Sequence, residues 1–374
     1  MVTSGLVLPA SSIQNAASGE YHEIFMPTSN AATEFHASRL FVSWLAEQHA
    51  SLVFTTYQAG KLFFVGLNPN GELAIFNRSL ARVMGLAAHQ QRLWVASLWQ
   101  LWRFENALQP GESHGANDRW YVPQLAYTTG DIDVHDVAVD GNGEPVFVST
   151  LFSCLARPDP QYSLRPFWKP FFVSRYAAED RCHLNGLAMR DGEPAFVTCV
   201  GRSDANEGWR EHRREGGLVI DVASNQIVAQ GLSMPHSPRW YQGRLWVLNA
   251  GTGEFGQVEL DSGRFVPLAF CPGFLRGLSF IGDYAVVGIS QQRENRSFTD
   301  LVLDQRLADR GVSARCAIQI IDLRRGDVVH ELRIEGGIVE LFDTAVLPGC
   351  RNPGAVGFLS DEIRKTLVLP PDAG

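Results

Sequence analysis

The sequence lacks the short motifs by which many enzymes and metal-binding proteins are identified. Its six cysteines never form a C-x-x-C pair, which excludes a zinc knuckle and a thioredoxin-type redox motif. It also contains no G-x-S-x-G elbow, no H-E-x-x-H motif, no Walker loop and no EF-hand loop. Serine-based acyl transfer therefore has no support from the sequence.

Charge and hydropathy exclude two further classes of partner. The net charge of -8 comes from mixed acidic and basic residues without a basic patch, so nucleic acid is not an expected partner. No apolar run approaches the roughly 18 residues that cross a membrane, and the N-terminal apolar run is too short for a signal peptide. The expected location is the cytoplasm, with reduced thiols, and the expected partner is a small-molecule or peptide ligand.

What the sequence has instead is a repeated unit of short strands. Residues 84–105, MGLAAHQQRLWVASLWQLWRFE, contain three short apolar or alternating runs separated by polar residues, which is typical of adjacent β-strands. Turns such as D-G-N-G and D-G-E-P separate the strands in other copies and are typical of hairpins. The copies align at seven reference positions: Leu45, Leu86, Val137, Leu187, Arg239, Leu278 and Thr344.

The spacing of the reference positions predicts a β-propeller. Successive intervals are 41, 51, 50, 52, 39 and 66 residues, and a period of about 40 to 50 residues with several short strands is typical of propeller blades. Seven positions predict a single-domain, all-β protein with seven blades. Six blades are the alternative, if residues 41–80 and the C-terminal unit share one sheet. The aromatic residues of the strands are expected to pack between blades.

The repeat also sets the expected domain boundaries. The propeller is predicted to span residues 36–365, between an N-terminal extension at 1–35 and a C-terminal tail at 366–374. The extension could donate a closing strand to the ring, and the segment 21–27 within it has the composition of a strand.

Several blocks of the repeat are long enough to be specific: SWLAEQHASLVFTTYQAGKLF, LWQLWRFENAL, DVHDVAVD, HLNGLA, PHSPRWYQGRLWVLNAGTGEFG and ELFDTAV. With them, the chain resembles an uncharacterised bacterial family of conserved propeller proteins described only by a domain of unknown function. The resemblance extends from about residue 36 to residue 358. It implies the propeller fold, and it supplies no activity that can be transferred to this chain.

Histidines precede three consecutive reference positions by two to four residues, at His135, His183 and His236. The first strand of a propeller blade lines the central channel, so three neighbouring blades would bring one imidazole each to the same end of it. Converging imidazoles suit a divalent metal such as Zn, Mn, Fe or Cu. Asp133 or Asp136 would then accept a hydrogen bond from His135. In the alternative interpretation, each imidazole only bonds a backbone carbonyl.

Charged residues occupy the equivalent places in the other blades. Glu340 is the predicted metal ligand or general base, and Arg82 and Arg276 are predicted to orient an anionic substrate, since a guanidinium can bind a carboxylate or phosphate through two parallel hydrogen bonds. The alternative for the arginines is an ion pair with Glu340 or Asp343.

Further polar residues are expected at the same face. The loops between second and third strands reach it and carry polar and aromatic side chains, and Asn185 precedes its reference position by two residues. The resulting candidate substrate-binding residues are Tyr57, Gln58, Trp99, Gln100, Asn185 and Asn249. Two long charged insertions, 201–217 and 291–315, are predicted lids or partner contacts.

Two functions from different classes follow from this site. The first is a metal-dependent propeller enzyme of the hydrolase or lyase type, acting on a small anionic substrate at the channel mouth. The alternative is a non-catalytic propeller that binds a ligand or a protein. Thiol chemistry at Cys182 and Cys199 is a third possibility. In the alternative interpretation, both cysteines pack as small apolar residues in the core.

Overall fold

The chain folds into six sheets of four or five strands arranged around one axis. The computed structural model describes residues 32–291 and 300–370, so the predicted strand at 21–27 lies outside the described residues. Each blade is written here from its innermost strand outward. Blade 1 consists of β25 (Thr344–Pro348), β2 (Ala50–Thr55), β3 (Lys61–Leu67) and β4 (Leu73–Ser79), and blade 2 consists of β5 (Leu86–His89), β6 (Arg92–Ala96), β7 (Gln100–Asn106), β8 (Arg119–Thr128) and β26 (Pro353–Ala355). Blade 3 consists of β9 (Val134–Val139), β10 (Pro145–Ser149), β11 (Cys154–Arg157) and β12 (Arg165–Trp168), and blade 4 consists of β13 (Leu184–Arg190), β14 (Glu193–Cys199), β15 (Gly217–Asp221) and β16 (Gln226–Leu232). Blade 5 consists of β17 (Pro235–Tyr241), β18 (Arg244–Asn249), β19 (Glu254–Glu259) and β20 (Arg264–Phe270), and blade 6 consists of β21 (Phe274–Ile281), β22 (Tyr284–Ser290), β23 (Cys316–Asp322), β24 (Val328–Glu335) and β1 (Glu34–Ala37).

The innermost strands form a closed ring. β5 contacts β9, which contacts β13, and the series continues through β17, β21 and β25 back to β5. Blade 1 closes this ring because its innermost strand comes from the C-terminal region, while its other strands come from the beginning of the repeat. Phe54 pairs with Thr344 and Ala50 with Pro348 in this antiparallel contact. The predicted all-β propeller is therefore confirmed.

The prediction of seven blades is wrong, and the six-blade alternative is the observed fold. The first reference position, Leu45, lies in a helix, α1 (Phe41–Glu47), and not in an innermost strand. Phe41, Trp44 and Leu45 are buried and follow the i, i+3, i+4 spacing of a helix face. The C-terminal unit adds only β25 to a sheet that residues 50–79 complete.

The aromatic residues of the repeat pack inside and between the blades as expected. Trp94, Phe104 and Phe147 are fully or almost fully buried. Trp94 and Phe147 belong to one apolar cluster that joins strands of blades 2 and 3. Because such a small sheet has two apolar faces, each blade is stable only when its neighbours cover them.

The remaining elements are short. α2 (Val302–Asp309) lies in the 291–315 insertion, α3 (Glu362–Lys365) lies near the C-terminus, and single 3₁₀ turns cover Gly208–His212 and Ala250–Thr252. β1 begins within the predicted extension, and it pairs with β24 at the outer edge of blade 6. Among the described residues, no helix has the length and apolar character needed to cross a membrane.

Arg239, on the innermost strand of blade 5, closes the centre of the ring. Its guanidinium contacts both carboxylate oxygens of Asp136 at 2.7 and 3.1 Å and lies 3.5 Å from Asp343 Oδ1. It also donates to the carbonyl oxygens of Leu187 and Leu278, each at 3.1 Å. Burial alone would lower the pKa of Arg239, and the two carboxylates more than offset that effect. Blades 1, 3, 4 and 6 are thus joined to blade 5 by one side chain.

The innermost strands approach one another closely enough to require glycine in alternate blades. The residue before each of the last six reference positions is, in order, Gly85, Asp136, Gly186, Pro238, Gly277 and Asp343. A Cβ atom on Gly186 would lie 2.2 Å from Pro238 Cδ, and one on Gly277 would lie 2.8 Å from Asp343 Cα. The "GLA" and "GLS" runs of the sequence therefore reflect contacts between neighbouring blades.

Candidate functional site

The segments that enter the innermost strands meet at one end of the channel. The rings of His135 and His183, from blades 3 and 4, lie 4.9 Å apart between centroids. The His135 ring is 5.3 Å from the ring of Phe342, just before blade 1's innermost strand, and the guanidinium of Arg276 in blade 6 lies 4.7 Å from the same phenyl ring. We call the following residues the channel-mouth cluster: His135, His183, His236, Arg276, Glu340 and Phe342.

Several of these entrances hold a non-glycine residue in the left-handed backbone region. Arg82, Asp133 and His183 each stand four residues before a reference position, with φ of 44°, 55° and 49°. This conformation costs on the order of 1 kcal/mol per residue outside glycine. Strain of this kind persists where surrounding contacts over-determine the backbone, and it is often found at functional sites.

His183 forms a hydrogen-bonded pair with a carboxylate. Its Nδ1 lies 2.8 Å from Asp180 Oδ2. Since an ionised carboxylate only accepts hydrogen bonds, the ring proton of neutral His183 is on Nδ1, and Nε2 carries the lone pair. The indole ring of Trp209 packs against the imidazole with centroids 4.2 Å apart, and its Nε1 donates to the same Asp180 oxygen at 2.8 Å.

The hydrogen bonds of His135 fix the same tautomer. Its Nδ1 is 2.7 Å from Thr150 Oγ1 and 3.3 Å from the carbonyl oxygen of Asp133. The Thr150 hydroxyl gives its single proton to the Leu184 carbonyl at 2.6 Å, so it accepts from His135 Nδ1. His135 Nε2 therefore also carries a lone pair, and no described residue donates a hydrogen bond to it.

His236 uses both ring nitrogens within the protein. Its Nδ1 donates to the Met234 carbonyl at 2.9 Å, and its Nε2 lies 3.4 Å from the Asn185 amide nitrogen. Asn185 Oδ1 accepts from Thr198 at 2.7 Å, which orients the amide nitrogen toward His236. His236 and Asn185 are therefore structural parts of the pocket wall, while the lone pairs of the other two imidazoles stay available.

Arg276 brings a buried positive charge to the site and pairs it with a carboxylate. Its Nη1 lies 3.3 Å from Glu340 Oε1, so the ion pair that the sequence left as an alternative is present. Burial holds the pKa of His135 well below its ordinary value, and the nearby His183 and Arg276 lower it further. Burial and Arg276 do the same to the pKa of His236. Both imidazoles are thus neutral at neutral pH.

Arg82 pairs with neighbours other than Glu340 and Asp343. It forms a close ion pair with Asp131 and lies 3.7 Å from an Asp133 oxygen, with its guanidinium 5.8 Å from the Tyr57 ring. Burial alone would lower the pKa of Arg82, and Asp133, Tyr57 and Asp131 together raise it. Tyr57 in turn stacks on Phe342 with centroids 5.4 Å apart. Arg82 and Tyr57 therefore flank the channel-mouth cluster.

The other predicted substrate-binding residues have local roles. Asn249 Oδ1 accepts from the Ser233 backbone at 2.8 Å, and the Gln100 carbonyl accepts from the backbone of Ser97 at 2.8 Å. Gln58 and Trp99 are exposed. None of these four has a described contact with the channel-mouth cluster, so their predicted role stays a prediction.

The predicted metal fits the described residues poorly. Within residues 32–291 and 300–370, no group of three or more His, Cys, Asp or Glu side chains is arranged to hold a metal ion. The nearest approach to one would use the Nε2 atoms of His135 and His183, since His236 Nε2 faces the Asn185 amide. The adjacent Arg276 cation would add repulsion to any dication bound there. The metal stays a prediction.

Sequence reasoning missed four residues of the site. Asp180, Thr150, Phe342 and Trp209 contact the imidazoles or Arg276 directly. Asp180 stands three residues before His183, and this short spacing was the one feature of the sequence that could have indicated the pair. Trp209 lies in a charged insertion without a strand pattern, so nothing local indicated that its ring would be buried.

The two insertions pack together over blades 4 to 6. Trp209, from the first insertion, shares an apolar cluster with Leu303 and Leu307, which lie on α2 of the second. Arg306 of α2 forms an ion pair with Glu254 at 2.6 Å and thereby holds the helix to blade 5. The described parts of the insertions therefore form a cap, and Trp209 connects that cap to His183.

Comparisons with solved structures agree with a propeller fold. The chain is similar to a protein in the crystal structure of a nidogen/laminin complex, at 12% identity over 80% of this chain and 99% of that one, with a TM-score of 0.50. It is also similar to virginiamycin B lyase from Staphylococcus aureus, at 11% identity over 81% and 99% of the two chains, with a TM-score of 0.38. The designed protein Ika8 gives 10% identity over 78% and 76%, with a TM-score of 0.37. At 12% identity, the similarity to the protein of the nidogen/laminin complex supports the fold alone.

Family membership is shown by sequence. No curated protein matches the chain. One family model, described as a domain of unknown function (DUF4915), matches residues 39–356, which include all six innermost strands and the whole channel-mouth cluster. The chain is therefore a member of the DUF4915 family, with the fold of a six-bladed β-propeller.

Proposed function

We propose that this protein is an acid–base enzyme of the hydrolase or lyase type that binds a small anionic substrate at the channel mouth. The observation that carries the proposal is the His183–Asp180 hydrogen bond of 2.8 Å in a buried pocket that also contains Arg276. It leaves the Nε2 lone pair of His183 free to accept a proton. A base oriented in this way by a carboxylate is the usual arrangement for proton transfer at neutral pH.

The residues divide the work between binding and proton transfer. Arg276, held by Glu340 and by the face of Phe342, attracts the anionic group of the substrate. His183 takes the proton of a water in hydrolysis, or of the carbon beside the anionic group in elimination, and returns it to the leaving group. Asp180 stabilises the imidazolium that forms in between.

His135 adds a second, neutral imidazole beside the base. Its centroid lies 4.9 Å from that of His183, and its Nε2 lone pair can accept a hydrogen bond from a substrate hydroxyl or an attacking water. Because its pKa is held low by burial, it stays neutral and does not compete with Arg276 for the anion. This neutrality lets two imidazoles share one pocket with a guanidinium.

The decisive variant is His183→Asn. Asparagine places an N–H near the position of Nδ1, so the bond to Asp180 can persist, and it tolerates the left-handed backbone of this residue. It lacks the Nε2 base, and we expect kcat to fall by about 10²- to 10⁴-fold. His49→Asn is a matched control, since His49 has a φ of 48° against 49° for His183 and precedes β2 at the opposite end of the ring.

Turnover would be measured with esters, lactones and β-substituted carboxylates. Proton release reports hydrolysis, and absorbance from a new carbon–carbon double bond reports elimination. Arg276→Lys keeps the charge but loses the planar fork, so we expect about tenfold weaker anion binding, the equivalent of one hydrogen bond to a charged group. Unchanged kinetics in His183→Asn would refute the assigned base. Activity that a chelator abolishes and a divalent metal restores would favour the metal-dependent form of the enzyme.

A non-catalytic binding protein is the second candidate function. The cap formed by the two insertions covers part of the channel mouth, and insertions gathered on one face are common at partner-binding surfaces. Titration calorimetry with the same carboxylates and with inorganic phosphate separates the two functions. Binding that depends on Arg276, without turnover of any substrate in the series, would favour the binding protein and contradict the enzyme.

A further inference from the structure

We infer that Trp209, carried by the 201–217 insertion, is a positioning residue for the His183–Asp180 pair. This inference rests on the proposed function of His183. The indole N–H donates to the Asp180 oxygen that also accepts from His183, at 2.8 Å in both cases. The indole ring covers the imidazole face at a centroid distance of 4.2 Å. Trp209 thus contacts both members of the pair at once.

Three consecutive residues hold the insertion in place. The Glu179 carbonyl accepts from the Glu207 backbone at 2.9 Å, and Arg181 Nη1 bonds Asp204 Oδ1 at 2.5 Å. Asp180, between them, accepts from Trp209. The segment that leads into His183 and the segment that carries Trp209 are therefore joined on both sides of the Trp209–Asp180 hydrogen bond.

The indole is also fixed from its other side. It is 3% exposed and packs in a cluster that contains Val200, Met234, Leu303 and Leu307. Those residues come from blade 4, from the start of blade 5 and from α2. Since the cluster is closely packed, the indole cannot turn away without opening a cavity. Its N–H is held toward Asp180 in the absence of any substrate.

Asp180 depends on this support. It has a φ of 41° and His183 one of 49°, so two nearby residues are strained. Asp180 Oδ1 is buried without a hydrogen-bond partner among the described residues, and only Oδ2 has bonds, to His183 and Trp209. Removal of the indole N–H would leave the carboxylate with a single hydrogen bond, to His183, so its orientation would be less restricted and the preference of His183 for the Nδ1–H tautomer would weaken.

The test replaces the indole with a ring that lacks the N–H. In Trp209→Phe, ¹⁵N NMR of histidine-labelled protein should show a larger Nε2–H fraction for His183, while His236, bonded to the Met234 carbonyl, serves as an internal reference. Trp246→Phe is the matched control, because Trp246 belongs to the same apolar cluster and donates its N–H to Tyr241 away from the site. It should leave the His183 signals unchanged.

The outcomes separate this inference from the proposed function. On a turned-over substrate we expect Trp209→Phe to lower kcat about tenfold with little change in KM, the loss equivalent to one hydrogen bond to a charged group. If wild-type protein turns over no substrate, the ¹⁵N signature still decides the role of Trp209. A His183 tautomer that is identical in wild type, Trp209→Phe and Trp246→Phe would overturn the inference and leave Trp209 as a core residue only.

Discussion

Acidification should destabilise this protein through two buried histidines. Burial, with Arg276 and neighbouring imidazoles, holds the pKa of His135 and of His236 well below the ordinary 6.5. In the unfolded chain both become protonated near the ordinary value. Below about pH 6.5 the unfolded state therefore binds more protons than the folded state, and the free energy of unfolding falls as the pH falls.

The magnitude follows from the number of protons. Each site contributes up to about 1.4 kcal/mol per pH unit, so the two together contribute about 2.7 kcal/mol per unit. Asp343 acts in the opposite direction. Burial and Asp136 raise its pKa, so its contribution to stability is lost as the pH rises and regained on acidification. The pH dependence of the free energy of unfolding of the wild type therefore contains contributions of both signs. A variant is needed to isolate the contribution of the two histidines.

The variant is the double replacement of His135 and His236 by asparagine. Asparagine keeps an N–H donor near the place of Nδ1, toward Thr150 and the Met234 carbonyl, and has no titration in this range. Urea unfolding followed by tryptophan fluorescence between about pH 5 and 7 gives the free energy at each pH. If all other groups titrate equally in both proteins, the difference in slope should grow as the pH falls through 6.5 and approach about 2.7 kcal/mol per unit near pH 5.

The single variants should each account for about half of that difference. Parallel stability curves for wild type and the double variant would refute the reasoning, because they would mean that both imidazoles are protonated as readily in the folded pocket as in the unfolded chain.

Two further predictions concern the centre of the ring. Asp136→Asn should destabilise the fold by about 2 to 3 kcal/mol. This is less than the roughly 3 to 5 kcal/mol typical of a broken buried ion pair, because Asp343 remains 3.5 Å from Arg239 and 21% of the arginine side chain is exposed. A variant as stable as wild type in urea would contradict this prediction. Gly277→Ala should cost at least about 2 kcal/mol, since φ is +79° and the new Cβ would lie 2.8 Å from Asp343 Cα, whereas Gly311→Ala, with φ +61° and open space, should cost about 1 kcal/mol in the same measurement.

The strand pattern of the chain predicted the fold class because it reports burial locally. Alternating and apolar runs near Leu86, Val137, Leu187 and Leu278 become innermost strands of blades, since each run buries the same face wherever its neighbours come from. Leu45 was wrongly counted as the reference position of a seventh blade. It ends a run whose apolar spacing fits a helix, and a short run of this kind can be assigned to either structure from sequence alone.

The site was partly predictable for a similar reason. His183 directly precedes an innermost strand, and His135 and Arg276 lie among the first residues of theirs. The geometry of a propeller brings these positions together whatever the side chains are. The hydrogen-bond partner of each side chain was harder to predict. Asp133 and Asp136 were both candidate acceptors for His135. Asp133 contacts the imidazole together with Thr150, whereas Asp136 binds Arg239 across the ring. Such choices depend on angles that the sequence does not contain.

The sequence by itself determined that this chain forms a propeller and which end of it carries the polar residues, because both follow from the local alternation of apolar and polar residues. Only the tertiary structure decided that the ring has six blades, because the pairing of Phe54 with Thr344 joins opposite ends of the repeat. It also decided which imidazole nitrogens stay free and that Trp209 reaches His183. These features arise from contacts between distant segments, and no local pattern encodes them.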